Sequence, residues 1–177
     1  VVLIDEAYVD FGGESVVGLI KDHANLLIIQ TLSKSRSLAG LRVGFAMGSE
    51  ELIEGINRIK NSINSYTLDR LALAGASAAM KDEAYFQETR RKIINTRERV
   101  ASELVGMGFK VTDSKANFLF ISHPSCKADI LFKGLREKGI LVRYFNKPRI
   151  DNYLRVSIGS DEEMDSFLEA VKALTAQ

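Results

Sequence analysis

Thr31-Leu32-Ser33-Lys34-Ser35-Arg36-Ser37-Leu38-Ala39-Gly40-Leu41-Arg42-Val43-Gly44-Phe45-Ala46-Met47-Gly48 is the stretch around which the rest of the chain is organised. The apolar run Leu26 to Ile29 delivers a Ser-Lys pair into a loop of hydroxyls, basic side chains and Gly40, and a second apolar segment carries the chain away. That pattern presents an amine at the end of a buried strand. An ammonium is a poor nucleophile, but near Arg36 and Arg42, and partly desolvated, Lys34 loses its proton more easily and can add to a carbonyl. Thr31, Ser33 and Arg42 then supply hydroxyls and a guanidinium for a phosphate. Taken alone, Lys34 fits a solvated loop better than a reactive amine.

Upstream, Val1-Val2-Leu3-Ile4 is a β-branched apolar run ending in Asp5-Glu6-Ala7-Tyr8, so an acid sits where a buried parallel strand emerges. Ligands of open α/β sheets bind outside the carboxyl ends of the strands, which directs Asp5 and Lys34 to one crevice. There Asp5 could keep a heterocyclic nitrogen protonated and Tyr8 could donate a hydrogen bond. Read separately, Asp5 is as readily a helix cap and Tyr8 a core aromatic.

Asp5-x-x-Tyr8, Ser33-Lys34 and Gly40-Leu41-Arg42-Val43-Gly44 together resemble the pyridoxal-phosphate site of the fold-type I aminotransferases. Within that group the chain is similar to the histidinol-phosphate aminotransferases, from Val1 to near the C-terminus. Two stretches narrow the resemblance: the lysine loop, and Gly139-Ile140-Leu141-Val142-Arg143 with Tyr153-Leu154-Arg155-Val156-Ser157-Ile158-Gly159. One departure is Ser35-Arg36-Ser37, where many relatives carry a small and aromatic pair after the lysine.

The resemblance implies pyridoxal 5'-phosphate as cofactor, with Asp5, Tyr8, Thr31, Ser33, Lys34 and Arg42 binding it. Lys34 would hold it covalently and move the substrate's proton. It implies transfer of nitrogen between histidinol phosphate and 2-oxoglutarate or glutamate in histidine biosynthesis, in a cytoplasmic homodimer. Arg155 lies inside an alternating strand, where a guanidinium is costly unless an anion meets it, and Arg143 ends the preceding strand. Either alone is a rim charge or a salt-bridge partner. Together, and matched to the family pattern, they form a clamp that suits a phosphate better than a single carboxylate. A threonine-phosphate decarboxylase would use nearly the same residues, and a self-associating fragment without catalysis is the competing reading from another class.

The chain opens on a strand without an initiator methionine, which implies a C-terminal piece of a longer protein. On that reading the family's N-terminal half is missing, and cofactor retention is weak or absent.

Composition sets the limits. Of 177 residues, 46% are apolar and 27% charged, an ordinary globular mixture, and the formal charge of +1 leaves no global field for nucleic acid or an anionic membrane. The single cysteine, Cys126, excludes an internal disulfide and suits a reducing compartment. No apolar run approaches the ~20 residues of a membrane span. His23 and His123 have no ligands at metal spacing, so no metal is expected.

The fold class is α/β: a three-stranded remnant of the mainly parallel sheet of a fold-type I large domain in residues 1–90, and an α+β small domain in residues 91–177. Strands are expected at residues 1–7, 26–31 and 42–47, then at 108–112, 117–121, 140–144 and 153–158. Helices are expected at 14–23, weakly, and at 50–60, 68–80, 82–107, 127–138 and 161–174. Ser49 is the expected cap of the second helix, and Ser160-x-x-Glu163 forms a capping box before the last.

Overall fold

A computed structural model describes residues 1–175. The chain forms two compact units, Val1–Arg90 and the residues from Arg91 onward.

The first unit holds a three-stranded sheet in the order β1 (Val2–Asp5), β2 (Leu26–Thr31), β3 (Gly44–Gly48). β1 and β2 are parallel, with Val2 opposite Leu26 and Asp5 opposite Ile29, whereas β2 and β3 run antiparallel. β1 was expected to be buried and is an exposed edge strand, with Leu3 54% accessible. The apolar run makes the strand, but nothing among the described residues pairs its outer edge. The strand also stops at Asp5 rather than residue 7, because the Asp5 carboxylate accepts the Ala7 N–H at 2.9 Å and turns the chain.

The weak helix expected at 14–23 is not α-helical. Only a short 3-10 turn, Val17–Lys21, forms there, and another covers Val9–Phe11, anchored by the fully buried Phe11. Val16, Val17 and Gly18 lower helix propensity at the point where nucleation would be needed. α1 (Glu50–Ile63) starts at Ser49, whose hydroxyl accepts the Leu52 N–H. α2 (Arg70–Lys81) starts at Asp69 in the same way. α1 buries none of its residues, and the small core under the lysine loop consists of Leu32, Val43 and Ala72, with Leu38, Leu41, Leu68 and Ala76 packed on it.

α3 (Glu83–Gly106) runs through the division at Arg90. The second unit then adds an antiparallel sheet in the order β4 (Lys110–Val111), β5 (Phe118–Ser122), β7 (Leu154–Ser157), β6 (Arg143–Tyr144). α4 (Ala128–Glu137) and α5 (Asp161–Thr175) complete it. Strand alternation turns Leu119, Ile121, Leu154 and Val156 inward. Helical spacing turns Leu131 and Leu135 of α4, and Met164, Phe167, Leu168 and Val171 of α5, onto the same core. Each such side chain contributes about 1.5–3 kcal/mol of burial, so this unit carries a much larger apolar core than the first. α4 ends where Gly139 takes φ +78°, which a side chain would oppose. Ile140 then bonds back to Leu135, which shortens the strand expected from residue 140 to Arg143–Tyr144.

Candidate active site

The parallel pair β1 and β2 ends in two turns at the same, carboxyl edge. From β1 come Asp5 and, three residues on, Tyr8, which precedes the Val9–Phe11 turn. Asp5 uses Oδ1 on the Ala7 N–H, and Oδ2 bonds to no described residue. Glu6, next to it, points to the opposite face and is buried. It accepts from Ser15 Oγ, the Val16 N–H and Gln30 Nε2, each at 2.8 Å. Burial pushes its carboxyl pKa up, but the bonds from Val16, Gln30 and Ser15 outweigh that and hold it below its ordinary 4.5.

From β2 comes Thr31, whose Oγ1 lies 2.8 Å from Ser33 Oγ and 3.2 Å from the Val43 carbonyl, and accepts the Ser33 N–H at 3.1 Å. Lys34 follows. Its amine has no carboxylate partner among the described residues and stands 5.9 Å from the centroid of the Tyr8 ring. A cation at that distance is attracted by the ring face. The loop closes through Ser37 N–H to Lys34 O at 3.2 Å and Leu38 N–H to Leu32 O at 3.0 Å.

Arg36, expected as a charge near Lys34, also serves as an anchor. Its guanidinium donates to Ala79 O at 2.5 Å, lies 3.6 Å above the Phe86 ring and sits 3.5 Å from a Glu83 oxygen. Arg42 takes φ +56° and spends Nη1 on Ala39 O at 2.9 Å, so β3 begins at Gly44 rather than residue 42. Gly44 itself is required, because a Cβ there would lie 2.9 Å from Gln30 O.

In the second unit, β6 and β7 set Arg143 opposite Arg155, on one face of the sheet. Arg155 lies 5.3 Å from the Phe118 ring centroid and 6.0 Å from that of Phe145, and Arg143 lies 5.4 Å from Phe145. Neither guanidinium meets a carboxylate among the described residues.

The donor set of the first unit is chemically suited to a phosphorylated pyridine aldehyde: an amine without a counter-ion, neighbouring hydroxyls, a guanidinium, a carboxylate with one free oxygen and a phenol. Sequence reasoning missed Glu6, Asp10 and Ser35, which shape this edge. Strand alternation would have shown that Asp5 and Glu6 cannot share a face. Ser35 carries no such signal.

The other candidates do different work. Burial, then the Asp129 charge, push the Cys126 thiol pKa up, away from a nucleophile. His123 Nδ1 accepts the N–H groups of Ser125 and Cys126. Among the described residues there is no cluster of three metal-ligating side chains, and no helix is long and apolar enough to cross a membrane.

The family model "Aminotransferase class I and II" matches residues 1–171. The histidinol-phosphate aminotransferase of Clostridium acetobutylicum is 68% identical over 176 residues, which is 99% of this chain and 50% of that protein. The corresponding Clostridium botulinum protein is 61% identical over 98% of this chain and 49% of its own length. The chain thus spans about half the length of the curated relatives it matches. Among solved structures, the histidinol-phosphate aminotransferase of Sinorhizobium meliloti, in complex with pyridoxal-5'-phosphate, has a TM-score of 0.85 and 25% identity. The match covers 98% of this chain and 48% of that one. Matched by the family model from its first residue to within six of its last, the chain belongs to the class I and II aminotransferases, a family of pyridoxal-phosphate-dependent enzymes.

Proposed function

We propose that the chain carries residues for transamination of histidinol phosphate with 2-oxoglutarate or glutamate, a step of histidine biosynthesis carried out in the cytoplasm by a homodimer. The observation that carries this is the Lys34 amine, which has no carboxylate partner among the described residues, beside Tyr8 at the strand edge that also ends in Asp5. The names of the curated relatives described above support the substrate.

When bound, pyridoxal 5'-phosphate supplies an aldehyde and an electron-accepting ring. Lys34 would be the amine that holds it and the base that moves the proton at the substrate α carbon. Asp5 would face the ring nitrogen and favour its protonated form. Tyr8 would donate to the phenolic oxygen, and Thr31, Ser33 and Arg42 would hold the cofactor's phosphate. Arg143 and Arg155 would hold the substrate's phosphate, whose two charges match two guanidiniums.

Because the chain spans about half of its relatives' length, retention of the cofactor is expected to be weak, so the test traps it covalently. The chain is incubated with pyridoxal 5'-phosphate, reduced with borohydride and mapped by mass spectrometry. Modification concentrated on Lys34, lost in Lys34→Ala, supports the reading. Modification spread evenly over the surface lysines overturns it. In a preparation that turns over, carbon dioxide release from phosphothreonine instead of nitrogen transfer would overturn the assigned reaction.

A further inference from the structure

We propose that Ser35, through Asp10, is a positioning residue that holds the Lys34 amine in its place beside Tyr8. The proposal deepens the reading of Lys34 given above and rests on it for its chemical purpose.

Ser35 follows Lys34 and is buried, in a loop whose neighbours Ser37, Ala39 and Gly40 are exposed. Its hydroxyl donates to Asp10 Oδ2 at 2.5 Å, a charge-assisted bond of the stronger kind. Asp10 lies in the Val9–Phe11 turn, two residues beyond Tyr8, and Phe11 N–H bonds back to Tyr8 O at 3.1 Å. The bond therefore joins the turn that carries the phenol to the loop that carries the amine.

Both ends of this tie are fixed. Arg90 Nε donates to Asp10 O, and Arg90 Nη1 donates to Gln87 at 3.0 Å, so the Asp10 side is fastened to α3. On the other side Arg36, 10% exposed, is held by Ala79 O, Glu83 and the Phe86 ring. Lys34 sits on the short arc before these two anchors, and its side chain has no hydrogen bond or ion pair among the described residues, only the Tyr8 ring at 5.9 Å. A flexible four-carbon side chain in that setting is placed by its backbone, and the backbone is placed by Ser35 and Arg36.

The test uses the whole chain with Ser35→Ala, Asp10→Ala, the double variant, and Asp10→Asn, which keeps an oxygen to accept the serine hydroxyl. Lys34 is compared with the exposed Lys60 of α1 in the same molecules, so each lysine ratio is internal. Two probes are used: limiting acetic anhydride, which reports access to the amine, and pyridoxal 5'-phosphate with borohydride, which reports capture. Losing the tie raises Lys34 acetylation and lowers its capture, each by about two- to tenfold, the range set by one hydrogen bond. The double variant does no more than either single one, and Asp10→Asn stays near wild type.

Opposed signs from the two probes distinguish placement from loosening of the fold, which raises both. Unchanged Lys34 ratios, parallel changes with both probes, or additive single variants overturn the proposal. If wild-type Lys34 is captured no better than Lys60, the functional reading fails. Acetylation and its non-additivity then decide by themselves whether Ser35 places the amine.

Discussion

Arg143 and Arg155 face each other across the β6–β7 ladder, two like charges on one side of the sheet. Directly opposed like charges destabilise a strand pair. Neither arginine meets a carboxylate among the described residues, and on the proposed reading an anion would offset the two charges.

Arg143→Gln is therefore expected to leave stability unchanged, or to raise it by about 0.2–1 kcal/mol, when no phosphate is present. Inorganic phosphate should raise the wild-type melting temperature and raise that of Arg143→Gln or Arg155→Gln much less. Thermal unfolding with phosphate, against sodium chloride of equal ionic strength, reads both effects. An equal response to the two salts removes the clamp.

Glu6 makes stability depend on acid. Its folded pKa lies below the ordinary 4.5, so the folded state gives up the proton more readily than the unfolded one. The contribution is then fully present above that value and disappears as pH falls through the lower, folded pKa. Glu6→Gln should cost about 1–3 kcal/mol at neutral pH, the range for a buried network deprived of one partner. The gap to wild type should narrow in acid. Urea midpoints on both sides of pH 4.5 check this, and a gap that widens in acid contradicts it.

At the start of α5, Ser160 and Glu163 bond reciprocally: Ser160 N–H to Glu163 Oε2 at 2.8 Å and Glu163 N–H to Ser160 Oγ at 3.3 Å. Ser160→Ala should cost about 0.5–2 kcal/mol, as caps do. Amide exchange in the first turn of α5 should quicken before the rest of the helix does.

Leu135 is fully buried among α4, α5 and the sheet. Leu135→Ala removes a side chain from a packed core and should cost about 2–5 kcal/mol. Ile130→Ala, on the exposed face of the same helix, should cost little, and chemical denaturation of the pair measures the difference.

Much of this structure is legible in its residues, and the failures have physical causes. β2 was readable to its ends because the apolar run Leu26 to Ile29 meets Gln30, hydroxyls and a lysine. The capping box fixed the start of α5 because side chain and backbone satisfy each other locally. Burial of β1 was misjudged, since composition reports what a strand could bury and not what pairs with its edge. The 14–23 stretch was misread because the carboxylate of Glu6, bonded to Ser15 and Val16, and not periodicity, holds its start. That Lys34 and Tyr8 come together could be expected from two parallel strands ending at one edge. Ser35 could not, because its partner lies 25 residues away and no local pattern marks the bond.

Asp5 and Glu6 are neighbours of like chemistry given opposite duties by the pleat: one turned outward with an oxygen to spare, the other inward and fully bonded. Slipping β1 by one position against β2 would exchange them, aiming the bonded acid at solvent and setting Asp5 against Ser15, Val16 and Gln30. A register error at this edge would thus undo more than most single substitutions in β1, since it would unfasten the turn that Glu6 holds.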